Sequence, residues 1–193
     1  MLKVITLHKI AFERHCVELF SKLESNPDVV VGILNGGGYV LEEFKKESSN
    51  GGIIFETVKL QRSSTKGVKQ SSFMKNLLNL LPYSILNRAR VSEHQKQIKA
   101  SDRSNLQDVE IDFNSTKKEP IKDILILDDA LDSGQTMQSV VKVLSNKFPQ
   151  ASIKTAVLAW TNSESIMTPD YYIFKNELVR FPWSLDYKTK RHG

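Results

Sequence analysis

Residues 124–136 constrain the fold more than any other stretch of the chain. Ile124-Leu125-Ile126-Leu127 is a continuous apolar run, the pattern of a strand buried on both faces in a parallel sheet. The run ends in two carboxylates, Asp128 and Asp129. A short loop, Asp132-Ser133-Gly134-Gln135-Thr136, then leads into Met137, Val140, Val141, Leu144 and Phe148, which share one helical face. Pro149 stops that helix. The unit is therefore strand, acidic pair, small-residue loop, helix.

That arrangement has a chemistry of its own. Backbone N–H groups at a helix N-terminus receive phosphate. Gly134 lets the backbone come close, and Ser133 and Thr136 add hydroxyl donors. Asp128 and Asp129 are placed to accept hydrogen bonds from sugar hydroxyls or to face a Mg²⁺ ion. A ribose 5-phosphate fits. The plainer alternative is an acidic surface turn capping a helix, with Ser133 or Asp132 as N-cap.

The same design occurs earlier in the chain. A helix is expected over about Ala11–Ser25, with Phe12, Cys16, Leu19, Phe20 and Leu23 as its apolar face. After Pro27 and Asp28, Val29 to Leu34 reads as a second buried strand. It ends in Asn35-Gly36-Gly37-Gly38-Tyr39, and Val40, Leu41 and Phe44 follow at helical spacing. Glycines there allow backbone geometries closed to other residues and let N–H groups point at an anion; a tight strand-to-helix turn needs them equally. Ile53 to Leu60 reads as a strand ending near Arg62, which either contacts phosphate or is a solvated strand-end arginine.

Residues 67–119 read as an insertion. Phe73, Met74, Leu77, Leu78 and Leu81 fit one helix ended near Pro82, and Tyr83 to about Ala100 fits a second, more polar one, followed by a polar linker. Lys66, Lys69, Lys75, Arg88, Arg90, Lys96, Lys99 and Arg103 outnumber Glu93 and Asp102. This is either a basic lid over an anionic substrate, a nucleic-acid surface, or a solvated helical hairpin packed by its apolar face; the last is favoured. Ser152 to Trp160 reads as a strand, followed by the segments Pro169–Phe174 and Leu178–Tyr187.

Composition excludes several classes. No run approaches the 18 apolar residues of a membrane span, and the N-terminus has no signal-peptide anatomy. Cys16 is the only cysteine, so there is no internal disulfide and no cysteine-based metal cluster, and its place on a helical apolar face makes it a core residue. A cytoplasmic location is expected. The net charge of +5 suits anionic ligands without identifying them.

The stretch from Ile124 to Gln138 resembles the phosphoribosyl pyrophosphate (PRPP) motif of type I phosphoribosyltransferases, and Asp129-Ala130-Leu131-Asp132-Ser133-Gly134-Gln135-Thr136-Met137 is closest to the hypoxanthine-guanine (purine) branch. Leu34 to Tyr39 is similar to the pyrophosphate loop. Pro169-Asp170-Tyr171 and Phe181-Pro182-Trp183-Ser184-Leu185-Asp186-Tyr187 resemble the purine hood. Two departures stand out. Gly36 replaces a lysine typical of the pyrophosphate loop, and Ala159-Trp160 stands where the purine branch has a base-reading lysine.

The resemblance implies an α/β type I phosphoribosyltransferase fold, a central mainly parallel sheet flanked by helices. Residues 1–193 would form one domain, with a small hood from 160–187 plus the N-terminus, and the helical insertion at 67–119. It implies a salvage transferase moving 5-phosphoribosyl from PRPP to a purine-like nucleobase with release of Mg²⁺-pyrophosphate. Asp132 would be the general base; Asp128, Asp129, Ser133, Gly134, Gln135 and Thr136 would hold PRPP; Asn35, Gly36, Gly37, Gly38 and Arg62 the pyrophosphate. Trp160, Val179, Arg180 and Phe181 would contact the base, and Asp186, Asp128 and Asp129 the Mg²⁺. A homodimer is expected. Two alternatives stand beside it: a PRPP- or nucleotide-binding regulator using the basic insertion on nucleic acid or a protein partner, and an enzyme of the same fold with a different acceptor or reaction direction, such as nucleotide pyrophosphorolysis.

Overall fold

The computed structural model describes residues 2–48, 51–59, 78, 81–101 and 120–188. Its elements run β1 (Lys3–Thr6), α1 (Lys9–Phe20), β2 (Val29–Ile33), α2 (Gly36–Glu47), β3 (Ile54–Val58), α3 (Tyr83–Ser101), β4 (Asp123–Leu131), α4 (Gln135–Lys147), β5 (Ser152–Trp160), β6 (Tyr171–Lys175) and β7 (Glu177–Arg180). Arg62, the polar linker and all but Leu78 and Leu81 of the helix expected over Phe73–Leu81 lie outside the described residues.

The two continuous apolar runs become the two innermost strands. β2 and β4 pair in parallel, Val29 opposite Ile124 through Gly32 opposite Leu127. The five-stranded sheet has the order β3-β2-β4-β5-β6, all parallel. Alternate residues of each strand enter opposite layers. Val30, Leu125 and Leu127 pack with Phe12, Cys16, Leu19, Val40, Leu41 and Phe44 of α1 and α2. Val29, Val31, Ile124 and Ile126 pack with Met137, Val140 and Leu144 of α4. Burial on both faces is what a strand without polar alternation requires.

Strand order also fixes where a ligand can sit. The chain leaves β2 toward β3 on one side and leaves β4 toward β5 and β6 on the other. The order therefore reverses between β2 and β4, and the crevice beyond their carboxyl ends is the site such sheets provide. The loop after β2 and the loop after β4 flank it.

β1 and β7 form a separate parallel pair, Lys3 opposite Glu177 through Thr6 opposite Arg180, which joins distant parts of the chain and is termed the hood. No helix among the described residues is long and apolar enough to cross a membrane. Cys16 is fully buried, and that burial pushes its thiol far up from its ordinary range.

Candidate active site

β4 outruns β2. Pairing with β2 stops at Leu127, while pairing with β5 continues to Leu131 opposite Trp160. The first turn of α2 fills the gap beside Asp128 and Asp129. Gly37 lies so close that a Cβ there would stand 2.3 Å from the Leu127 carbonyl oxygen. A Cβ on Gly36 would stand 2.1 Å from Asp129 Cγ. The glycines are thus helical, and what they supply is the missing side chain; the unusual backbone geometry expected from the sequence is not needed at these positions. The Leu34–Asn35 peptide just before them is cis.

The carboxylates are held in a poorly solvated corner. Burial and the neighbouring Asp129 charge push Asp128 well up from the ordinary aspartate range, although backbone N–H groups of Asp129 and Gly37 pull the other way. Asp129 is also raised, chiefly by burial, against a hydrogen bond from Trp183. The Asp129 N–H donates to Asp128 Oδ1 at 2.9 Å, and Trp183 Nε1 donates to Asp129 Oδ2 at 3.2 Å. Like charges sharing a desolvated site retain a proton more readily than isolated ones.

Beyond the pair, Gly134 adopts φ +84°, the one positive-φ glycine among the described residues, and serves as N-cap of α4. The segment 161–168 packs against this turn: Ile166 N–H donates to the Ser133 carbonyl oxygen at 2.9 Å, and a Cβ on Gly134 would stand 3.0 Å from Met167 Cγ. Gln135 N–H reaches Ser133 Oγ at 3.4 Å, and Gln138 N–H makes the first helical bond to Gly134. Asp132 is half-exposed, with the Thr161 hydroxyl donating to its Oδ1.

Trp183 comes from the segment after β7 and lies between two rings, stacked on Tyr39 at 4.2 Å and on Phe181 at 4.9 Å between centroids. Phe12 meets it edge-on. The tryptophan carries the hood onto the acidic pair, a contact that sequence spacing does not reveal.

The residues expected to contact the base lie deeper. Val179 and Phe181 are buried in the α1–α2 layer. Trp160 is buried in the other layer, donates to Ser165 Oγ at 2.9 Å, and lies under the Lys175 ammonium at 4.4 Å. Arg180 is 1% exposed; it donates to Asp186 Oδ2 at 2.9 Å, Thr6 Oγ1 at 2.8 Å and Asn87 Oδ1 at 2.8 Å, with the Tyr83 ring over its guanidinium.

Asp186 is held from two sides. Arg90 of α3 donates to both of its oxygens, and Arg180 to one. Burial alone would raise its carboxyl, but the two guanidinium groups hold it below the ordinary value. Asn87 and Arg90 on α3, together with His94 beside Asp132 at 3.5 Å, therefore dock the insertion on the site through polar groups. Among the described residues of α3, Leu86 is the buried apolar side chain; the apolar face expected of the preceding helix lies mostly outside the described residues.

Among the described residues no group of three or more His, Cys, Asp or Glu side chains can hold a metal unaided. A desolvated carboxylate pair does fit Mg²⁺, which keeps several waters and takes one or two carboxylates together with substrate phosphates. Asp186, already neutralised by two arginines, fits less well.

A family model described as "Phosphoribosyl transferase domain" matches residues 5–190. No curated protein matches the sequence. Among solved structures, the chain is similar to a purine phosphoribosyltransferase from Pyrococcus horikoshii, at 19% identity and TM-score 0.60 over 94% of each chain. It is likewise similar to the xanthine-guanine-hypoxanthine phosphoribosyltransferase of Helicobacter pylori, at 17% identity and TM-score 0.60 over 95% of each chain. A Neisseria gonorrhoeae protein with bound ppGpp aligns over 95% of this chain and 90% of that one, at 14% identity and TM-score 0.58. At these identities the shared property is the fold.

Proposed function

The chain belongs to the phosphoribosyl transferase domain family and is a transferase; on that premise we propose that it moves 5-phosphoribosyl from PRPP to a purine-like nucleobase and releases Mg²⁺-pyrophosphate. The observation that carries this reading is the desolvated Asp128–Asp129 pair facing the glycine start of α2 across the strand-order reversal.

The residues divide the substrate between them. Asp128 and Asp129 accept the ribose hydroxyls. The turn from Ser133 to Thr136, at the N-terminus of α4, receives the 5-phosphate. Asn35, Gly36, Gly37 and Gly38, with Arg62, receive the pyrophosphate. Mg²⁺, held by Asp128 and Asp129, would neutralise charge on the departing pyrophosphate. The new bond joins the acceptor nitrogen to C1′ as the C1′–oxygen bond to pyrophosphate breaks, and Asp132 takes the nitrogen's proton. Positive charge built on the sugar ring at the transition state faces the acidic pair, a preorganised electrostatic contact. Val179, Arg180, Phe181 and Trp160 back the acceptor side from the two core layers. The protein works as one domain, as a homodimer in the cytoplasm.

Calorimetric titration of PRPP with Mg²⁺ tests this, on the wild type and on Asp129→Asn. Binding by the wild type, weakened about tenfold or more in the variant (~1.4 kcal/mol), is expected. A well-folded wild type that ignores PRPP refutes the reading and favours the nucleotide-binding regulator. Against that alternative, Arg90, one of the insertion's cations, is spent on Asp186.

A further inference from the structure

Thr161 carries a buried hydroxyl that the backbone does not need. The residue follows β5 and is 4% exposed. Its N–H donates to the Leu131 carbonyl oxygen at 3.0 Å, which carries the β4–β5 ladder one step past Leu131 and Trp160. The hydroxyl lies 3.2 Å from that same oxygen, but the backbone N–H already serves it. The other acceptor in reach is Asp132 Oδ1. A hydroxyl has one proton to give, and a carboxylate is the stronger acceptor. Burying a hydroxyl costs free energy unless it is paired, so the pairing with Asp132 is what justifies it here.

The contacts on Asp132 are one-sided. His94 Nδ1 stands 3.5 Å from the same Oδ1, and among the described residues no hydrogen bond or ion pair falls on Oδ2. Donors resting on one carboxylate oxygen leave the other as the free acceptor. The Asp132 side chain is 46% exposed, so a substrate atom can reach it. A side chain that open, left to itself, turns among its rotamers. A proton acceptor works only within hydrogen-bond reach of its donor, and a misplacement of about 1 Å can cost roughly 10²-fold in rate. Thr161 is itself well fixed: the chain after it returns to the same turn, where Ile166 N–H donates to the Ser133 carbonyl oxygen at 2.9 Å.

We infer that Thr161 is a positioning residue: its hydroxyl holds Oδ1 of Asp132, so that Oδ2 is the oxygen that takes the proton of the acceptor nitrogen. That proton moves as the nitrogen bonds to C1′ and pyrophosphate leaves with the electrons of the C1′–oxygen bond. The inference rests on the phosphoribosyl reading above. It gives the segment after β5 two tasks at one turn, since it braces Gly134 through Met167 and aims Asp132 through Thr161.

The test uses the full chain with Mg²⁺, PRPP and hypoxanthine, guanine, xanthine or adenine as acceptor, and calorimetry reads PRPP affinity separately. Thr161→Ser and Thr161→Ala differ from each other by one oxygen. Thr161→Ala should lower kcat on the best acceptor about tenfold, a part of the roughly 10²–10⁴-fold that a general base contributes. PRPP affinity and KM should stay within about twofold, and Thr161→Ser should keep kcat within about threefold of wild type. In an Asp132→Asn background the same alanine should change kcat by less than about twofold, because the hydroxyl acts through the carboxylate. Full turnover in Thr161→Ala, serine no better than alanine, equal loss of PRPP affinity and turnover, or an undiminished alanine effect beside Asp132→Asn overturns the assignment. Thr161→Val keeps the side-chain volume and repeats the comparison where alanine disturbs the fold. A folded wild type that binds PRPP yet ribosylates none of the four bases refutes the nucleobase reading itself, and this assignment with it.

Discussion

Removing the Asp186 carboxylate should unlatch α3 from the hood. The Arg180 side chain is 1% exposed, Asp186 13% and Arg90 25%, so the triad is substantially withdrawn from water. Asp186→Asn leaves two guanidinium groups facing each other without a counter-charge. Breaking such a buried pair costs about 3–5 kcal/mol, and because asparagine keeps one acceptor oxygen the lower end is expected. Against a total stability of about 5–15 kcal/mol, that is a large fraction. For a chain of this size it lowers Tm by roughly 6–12 °C, at about 2–4 °C per kcal/mol. The assay is urea unfolding of wild type, Asp186→Asn, Arg180→Met and the double variant, in chelator and without substrate. The double variant should be less damaged than the sum of the singles, with a coupling of about 2 kcal/mol. Acid should erase the difference. The two arginines hold the carboxyl below its ordinary value, so its contribution is complete above about pH 4 and is lost as pH falls through the lower native value. Additive singles, or an Asp186→Asn variant within about 0.5 kcal/mol of wild type, would refute the clamp. A residue serving only as a metal ligand would give that null result in chelator.

Three further outcomes follow from the site. Gly36→Ala puts a methyl group where Asp129 now stands, 2.1 Å from its Cγ; overpacking costs about 1–3 kcal/mol and helix propensity returns about 1 kcal/mol. Stability should therefore fall modestly while PRPP affinity falls more than about tenfold (~1.4 kcal/mol), and wild-type affinity by calorimetry would contradict the close approach. Asp128→Asn should stabilise the ligand-free protein by about 1 kcal/mol, a few degrees in Tm, while abolishing PRPP binding. The Asp128 carboxyl is raised in the native state, so wild-type stability declines as pH rises from the ordinary aspartate range toward that native value. The gain should accordingly be larger at pH 7.5 than at about pH 4, the ordinary aspartate range, in thermal melts, and an equal gain at both would count against desolvation. Asp132→Asn should cut turnover by about 10²–10⁴-fold and leave PRPP affinity within about threefold; comparable losses in both would remove its proton-accepting role.

The strands and loops of the central unit were legible because their signals are local. Continuous apolar runs mark β2 and β4, with Ile33 ending the first one residue before the expected Leu34. β5 spans Ser152–Trp160 as read, and α4 stops before Pro149. α1 was expected to run to Ser25 but ends at Phe20, where Ser21 folds its hydroxyl back onto the Glu18 carbonyl oxygen. The hidden contacts are those made between distant polar residues. Asn87, Arg90 and His94 share a face of α3, yet on a polar helix they read as solvated. Arg180 and Asp186 are separated by only a turn of chain, but the burial that makes their pairing matter comes from α3. Trp183 reads equally as core or hood, and only the fold places its N–H on Asp129.

The pairing of β1 with β7 has a kinetic consequence. Lys3 Nζ bonds Glu177 Oε1 across nearly the whole chain length, while the β2–β4–β5 core needs only residues up to 160. Contacts of such long loop closure form late. On the ribosome, the sheet with its acidic pair can assemble before residues 177–188 have emerged. The nascent protein then carries the Ser133–Thr136 turn with no Trp183 over Asp129 and no Arg180 for α3 to grip. The β1–β7 pair is the last part of the described fold to assemble, so Asp129 stays uncovered until residues 177–188 are made.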